Sequence, residues 1–330
     1  MNFDLDDTQR EFVALAAEFF SENSGVAAAR TRLDTDIPPV PGTSALAELG
    51  LLGLMVPEEN GGLGQGVLDA VVVAEQAGRV LASPSLTTAA RASVLLADHP
   101  DLLEQLATGR TRFAVLDGSP EGSDPSIDAG SAELFLACDS DGSVLCGQGT
   151  QQPCDPIDAS RALGRVRLNE PRVLAENAQP LWDRARDIAC IVMAAEDLGT
   201  ATEALERAVE YAKTRQAFDR FIGSFAPVKH RLVNVWADLD QVRSLVWWAA
   251  WCADSDPAHL EVAVSSAKAY SARVVEEATE LLVHVHGGMG FTWEHDAHLF
   301  WRRGKTDIHL LGERGWHVDR VARLTLATGA

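Results

Sequence analysis

The sequence predicts a mainly α-helical protein interrupted by one small β region. Three observations carry that prediction. Apolar residues recur at helical spacing before residue 112 and again after residue 180. Between these limits the pattern breaks into short apolar runs split by Gly, Pro, Asp and Ser. The C-terminal periodicity falls into four long stretches, which most simply pack as an antiparallel bundle. The expected organisation is an N-terminal helical domain over residues 1–111, a small β domain over 112–179 and a C-terminal four-helix bundle over 180–330.

Residues 4–30 read as helix, with Phe12, Leu15, Ala16, Phe19 and Phe20 on one face and Asp6 or Asp7 as N-cap. The prolines of segment 37–42 interrupt it, because proline cannot continue a helix. SALAELGLLGL is helical to about Gly53, and the glycine-rich run Val56–Gly66 is a loop. Helix returns over Leu68–Ala82, residues 88–97 and 101–108. The strands are expected in RFAVL, AELFLAC, SVLCG and RVRL. In the bundle, Ile188, Ile191, Val192, Ala195, Leu198, Leu205 and Val209 form one apolar stripe. Val228, Leu232, Val235, Trp236, Leu239, Val242 and Val246 form a second. Residues 259–286 give a third helix and 296–326 a fourth, broken near Gly312.

The length of 330 residues suits about two domains of ~150 residues, and 46% hydrophobic residues suffice for a packed core. A net charge of −20 repels nucleic-acid phosphates and anionic lipid, so binding to either is not expected. Any anionic ligand has to be met by a local basic cluster. The five cysteines are odd in number and contain no CxxC pair, which speaks against a disulfide framework or a zinc–thiolate site. Reduced thiols in a cytoplasmic protein are the expectation. The acidic start MNFDLDDTQREF lacks a signal peptide's basic region, and no apolar run is long enough to cross a membrane.

YAKTRQAFDRFIGSFAPVKH, residues 211–230, is the most informative run. It places a fixed cation, Arg215, near an aromatic, Phe218, at the end of a long helical stretch. HVHGGMGF, His284–Phe291, follows about seventy residues later. A guanidinium suits phosphate oxygens, an aromatic face suits a ring system, and bare glycine backbone admits a flat ligand. The combination points to a dinucleotide, a flavin. Each part also has a structural reading: Arg215 as a solvated helix end complementing the dipole, Gly287 and Gly288 as a helix C-cap. A metal site at His284, His286, His295 and His298 is the weaker reading, since no carboxylate spacing matches a zinc pattern. Gly62, Gly64 and Gly66 lack the Rossmann spacing, and neither a GxSxG elbow nor a P-loop occurs. Trp247, Trp248 and Trp251 cluster as core or as a subunit interface.

With these motifs in hand, the chain resembles the acyl-CoA dehydrogenase family over nearly its full length. LGLLGLMVPEENGGLG resembles a loop of that family's N-terminal domain. Residues 211–230 resemble YAxxRxQFGxPIxxFQxxKH, and residues 284–305 resemble QxxGGxGFxxExxxxxxxRDAK. The resemblance implies FAD at a subunit interface, with Arg215, Phe218, His284, Gly287 and Gly288 offered to a flavin seated mainly in the neighbouring subunit. His284 stands where the family has glutamine. The flavin-side features are reduced: LDGSPEGSD (Leu116–Asp124) is the nearest match to a TEPxAGSD-like loop, no WITN-like strand follows, and the β domain is short.

Dehydrogenation at Cα–Cβ needs a carboxylate to remove the weakly acidic α proton. The family's two positions for that base correspond here to Leu311 and Ala189, neither of which accepts a proton. Glu313 lies two residues further on, rotated by roughly 200° on a helix. The flavin-touching TxQ residues read Glu313-Arg314-Gly315. The resemblance therefore implies the non-catalytic subunit of a heteromeric (α2β2) acyl-CoA dehydrogenase. It is of the kind actinobacteria use on steroid side-chain CoA thioesters, with the catalytic glutamate on the partner. A self-sufficient homo-oligomer using Glu313, and a flavin-free structural subunit, are the alternatives.

Overall fold

Asp6 fixes where the first helix begins. Its carboxylate accepts from Gln9 N–H at 2.8 Å, and Gln9 Oε1 accepts from Asp6 N–H at 3.1 Å, a reciprocal capping box. A computed structural model describes residues 4–23, 25–35, 43–82, 86–152, 154 and 156–327; the proline run 37–42 lies outside them. The described helices before the sheet are α1 (Asp7–Asn23), α2 (Gly25–Thr35), α3 (Thr43–Glu48), α4 (Val67–Arg79), α5 (Leu86–Leu95) and α6 (Pro100–Ala107). On α1 only Ala16 and Phe20 of the predicted face are fully buried. The second predicted helix stops at Glu48 rather than near Gly53. Gly50, at φ 75°, donates to Ala47 O while Leu51 N donates to Leu46 O, the paired bonds that end a helix in a left-handed cap.

The chain divides into two compact units, one of Met1–Arg30, Val71–Ala82 and Met193–Ala330, the other of Thr31–Ala70 and Ser83–Val192. The second unit holds the sheet. Strands β1 (Phe113–Val115), β4 (Leu134–Cys138), β5 (Val144–Gly147) and β8 (Arg172–Ala175) lie in the order β1-β4-β5-β8, with β1 parallel to β4 and the other pairs antiparallel. Phe113, Val115, Leu136, Val144 and Cys146 pack with Leu102, Leu103 and Leu106 of α6 and with Trp182. The RVRL strand, β7 (Arg165–Leu168), pairs instead with β6 (Gly149–Gln152), which is too polar to read as a strand from its sequence. A two-residue pair, β2 (Gly118–Ser119) with β3 (Gly122–Ser123), completes the β structure of this unit.

The first unit is helical: α1, α4 from Val71 on, the second half of α7 (Gln179–Thr214), α8 (Ala226–Ser255), α9 (Leu260–His286), α10 (Ala297–Asp307) and α11 (Arg314–Ala327). The fourth long stretch is thus two short helices, separated where Gly312 takes φ 105°. α4 and α7 cross backbone to backbone. A Cβ on Gly78 would lie 2.1 Å from Glu196 O, and one on Gly199 1.9 Å from Glu75 O, so no other residue fits either position. The second predicted stripe is buried at Leu232, Val235, Leu239, Val242 and Val246, but Trp236 is 66% exposed. It sits one residue past Val235, about 100° around the helix and off the buried ridge. Trp247, Trp248 and Trp251 are half-buried.

A polar network ties the interior. Lys268 Nζ, fully buried, donates to Asp307 O at 3.1 Å and lies 3.5 Å from Asp197 Oδ2, which also accepts from Ser271 Oγ at 2.9 Å. Arg303, 1% exposed, donates to the carbonyls of Leu81 and Ala82 beyond the C-terminus of α4. Burial of these charges is tolerated because each has a partner. Among the described residues no helix is long and apolar enough to cross a membrane.

Candidate functional site

α7 ends at Thr214 and the chain doubles back through β9 (Gln216–Ala217) and β10 (Arg220–Phe221). The register pairs Arg220 with Ala217 and leaves Phe218 and Asp219 as a two-residue turn. Their φ values, 52° and 59°, are both left-handed, as the tight turn matching strand twist requires. Asparagine and glycine take this turn readily, whereas a phenylalanine at positive φ is strained by about 1–3 kcal/mol. The strained ring is also 91% exposed. It meets Phe225 edge to face at 6.4 Å, and the Arg220 guanidinium lies 3.9 Å over the Phe225 ring.

Arg215 sits at the hairpin root, its carbonyl accepting from Ile222 N–H at 2.9 Å. Its side chain is exposed and makes no ion pair among the described residues, whereas Lys213 is taken up by Glu210 at 2.6 Å. Beside the hairpin runs an open groove of about 340 Å³, walled by Phe218, Phe225, Val228, Arg231, Leu281 and His284. The structure thus brings Phe218 and His284 into one groove, while Arg215 stands outside its lining. Sequence reading misses Arg231 and Phe225. Phe225 lies in the same run as Arg215 and Arg231 directly follows it, but α8 and α9 have to pack before they face Leu281 and His284.

α9 ends at His286, and a single 3₁₀ turn follows over Gly287–Phe291. Gly287 takes φ 62° and ψ −144°, a backbone region held almost only by glycine. A Cβ on Gly287 or Gly288 would meet nothing within 4 Å, so this backbone is bare and open. Gly290 differs: its Cβ would press 2.8 Å from Val283 O, a packing role. Beneath the turn His286 stacks on Tyr211 at 4.0 Å and receives His295 at 4.4 Å. Burial first, then the neighbouring His286, pushes the His295 pKa down. Burial also lowers that of His298, whose Nε2 lies 3.2 Å from Trp293 O. No group of three or more His, Cys, Asp or Glu side chains suited to a metal occurs among the described residues.

The two positions at which the resemblance expects a base are both buried. Leu311 is 6% exposed at φ 58°, and its carbonyl accepts from Nε2–H of the fully buried His317 at 3.2 Å. Ala189 is fully buried within α7. Glu313 faces solvent, its side chain 73% exposed, 3.2 Å from His309 Nδ1. The loop Leu116–Asp124 is likewise engaged with its own unit. Asp117 pairs with the buried Arg91 at 2.9 Å, Ser126 Oγ accepts from Asp117 N–H, and Ser123 Oγ accepts from Val166 N–H.

Residues 6–100 match the acyl-CoA dehydrogenase N-terminal domain and residues 187–326 the acyl-CoA dehydrogenase C-terminal domain. Over 269 residues the chain is 33% identical to acyl-CoA dehydrogenase IpdE2 of Mycobacterium tuberculosis, covering 80% of both proteins. The chain belongs to the acyl-CoA dehydrogenase family. It is also 33% identical over 302 residues to acyl-CoA dehydrogenase FadE34 of the same organism, of which it spans 42%. Among solved structures, a chain of the ChsE4-ChsE5 complex from Mycobacterium tuberculosis has a TM-score of 0.88 at 22% identity, covering 98% of both chains. A chain of the Tcur3481-Tcur3483 steroid ACAD has 0.86 at 23%, covering 98% of this chain and 99% of that one. The family fold, with N-terminal helical, central β and C-terminal helical parts, is therefore this chain's fold.

Proposed function

We propose that the chain is the non-catalytic subunit of a heteromeric, FAD-dependent acyl-CoA dehydrogenase. It lends FAD contacts in trans, and a partner subunit supplies the glutamate base. The observation that carries this reading is the contrast at the two base positions: Leu311 and Ala189 are buried and unionisable, while Glu313 lies in solvent. A base acting on a weakly acidic proton works from a desolvated, positioned site, which Glu313 lacks.

The exposed end of the first unit fits the pyrophosphate and adenosine end of FAD. Gly287 and Gly288 offer open backbone where a side chain would obstruct, and Arg215 presents a guanidinium with no internal ion pair among the described residues. Arg215 would bind phosphate oxygens, Phe218 would stack on the adenine, and His284, Gly287 and Gly288 would approach the same end. When bound, FAD supplies the acceptor for hydride leaving Cβ of the acyl chain. On this reading the protein works in the cytoplasm as an α2β2 assembly on an acyl-CoA, with its functional domains at 1–111, 112–179 and 180–330. The two-chain ChsE4-ChsE5 and Tcur3481-Tcur3483 neighbours support the heteromer, and the latter's steroid designation supports a steroid side-chain thioester.

Co-expression with an acyl-CoA dehydrogenase chain that retains the catalytic glutamate tests the reading. The expected product is a yellow complex whose turnover is abolished by changing the partner's glutamate to glutamine. A complex that forms without flavin would favour a purely structural subunit and overturn the proposal.

A further inference from the structure

The groove between the hairpin, α8 and α9 is apolar except for two basic side chains, Arg231 from α8 and His284 from α9. In a chain of net charge −20, two such groups on one apolar groove select for an anion. The aromatic walls, Phe218 and Phe225, select for a flat ring attached to it. Arginine stays charged at every accessible pH, whereas an imidazole gains a charge and a second N–H donor on protonation. A glutamine, the residue the family motif has here, would offer the same neutral amide throughout.

We propose that His284 makes this surface's hold on a nucleotide pyrophosphate pH-dependent, with Arg231 as the permanent cation of the same groove. The inference rests on the reading that this end of the chain meets the pyrophosphate and adenosine of a dinucleotide. The charged groups around His284 are consistent with it. α8 contributes Arg231, and the hairpin lines the groove only with Ala217 and Phe218. On α9 itself Glu280, one turn back, is held by Lys305 at 2.7 Å, and Glu277 by Arg273 at 3.0 Å. No carboxylate lines the groove. Protonated His284 therefore has the nucleotide's phosphates as its natural counter-charge. Binding is tightest at low pH and weakens as pH rises through the imidazole range. By linkage, the bound nucleotide must raise the His284 titration midpoint by the same factor.

The test uses the full-length chain and ADP-ribose, a pyrophosphate diester whose phosphates do not titrate between about pH 5.5 and 8. Proton NMR of the imidazole Cε1–H signals follows His284, assigned by loss of its signal in His284→Gln. The expected result is affinity about tenfold higher at the acid end, a midpoint raised by about one pH unit on saturation, and a flat profile in His284→Gln. If Arg215→Ala weakens ADP-ribose binding but the His284 midpoint does not move, the inference falls and the nucleotide reading stands. If the pH dependence survives in His284→Gln, the inference falls likewise. If ADP-ribose does not bind the chain even at millimolar concentration, the inference falls, while the reading of a flavin held mainly by the partner stands.

Discussion

The hairpin tip at 218–219 and the turn at 311–312 belong to the same helical unit and share one backbone property, left-handed φ at a bulky residue. Phe218 has φ 52° and Leu311 has φ 58°. Their burial is opposite, at 91% and 6% exposed. Leu311 is repaid for its strain by packing and by the His317 bond to its carbonyl. Phe218 has one edge-on contact with Phe225. Strain compensated by burial belongs to the fold, whereas strain that holds an aromatic ring in water points to a ligand. The difference separates a turn closed into the core from one that leaves its ring in solvent, and on the proposed function the first stands where the base would be and the second meets the nucleotide.

Glycine substitution breaks the comparison most sharply, since glycine relieves either strain. Leu311→Gly also removes a buried side chain, so it should destabilise the chain by about 2–4 kcal/mol, read as a lower urea midpoint. Next in size, Arg215→Ala in the assembled complex should loosen FAD by about 1.5–3 kcal/mol, roughly tenfold or more, measured by fluorescence of released flavin. The urea midpoint of the chain alone should not change. Phe218→Gly should stabilise the chain by up to about 1 kcal/mol while weakening FAD retention, an opposite sign to Leu311→Gly in the same assay. A stability loss at Phe218→Gly would mean that the ring is structural. The smallest effect is expected at Glu313→Gln, with turnover of the complex changed by less than about twofold, against several orders of magnitude for a true base.

Much of this was legible in the sequence, for identifiable reasons. The stripe from Ile188 to Leu205 and the ridge from Leu232 to Val246 follow helical periodicity because their apolar residues, Trp236 apart, are buried. Trp236 escaped because residue type does not reveal which edge of a stripe meets solvent. β6 escaped because Gly149–Gln152 is exposed on nearly every side chain and carries no apolar alternation. Arg215, Phe218 and the glycine pair stand out as candidates in the sequence because they lie within two short runs. The groove does not, because Arg231 and His284 are 53 positions apart and meet only when α8 packs on α9. The expectation that Leu311 stands in place of the base rests on motif spacing, whereas the buried His317 whose ring bonds the Leu311 carbonyl leaves no trace in the sequence.

The most direct measurement is the ratio of flavin to polypeptide, with acyl-CoA turnover, for the chain purified alone and with its partner. The account predicts a nearly colourless, inactive chain by itself, and a flavin-loaded, active complex once the partner is present. A lone chain that retains one FAD per polypeptide and turns over substrate would contradict it.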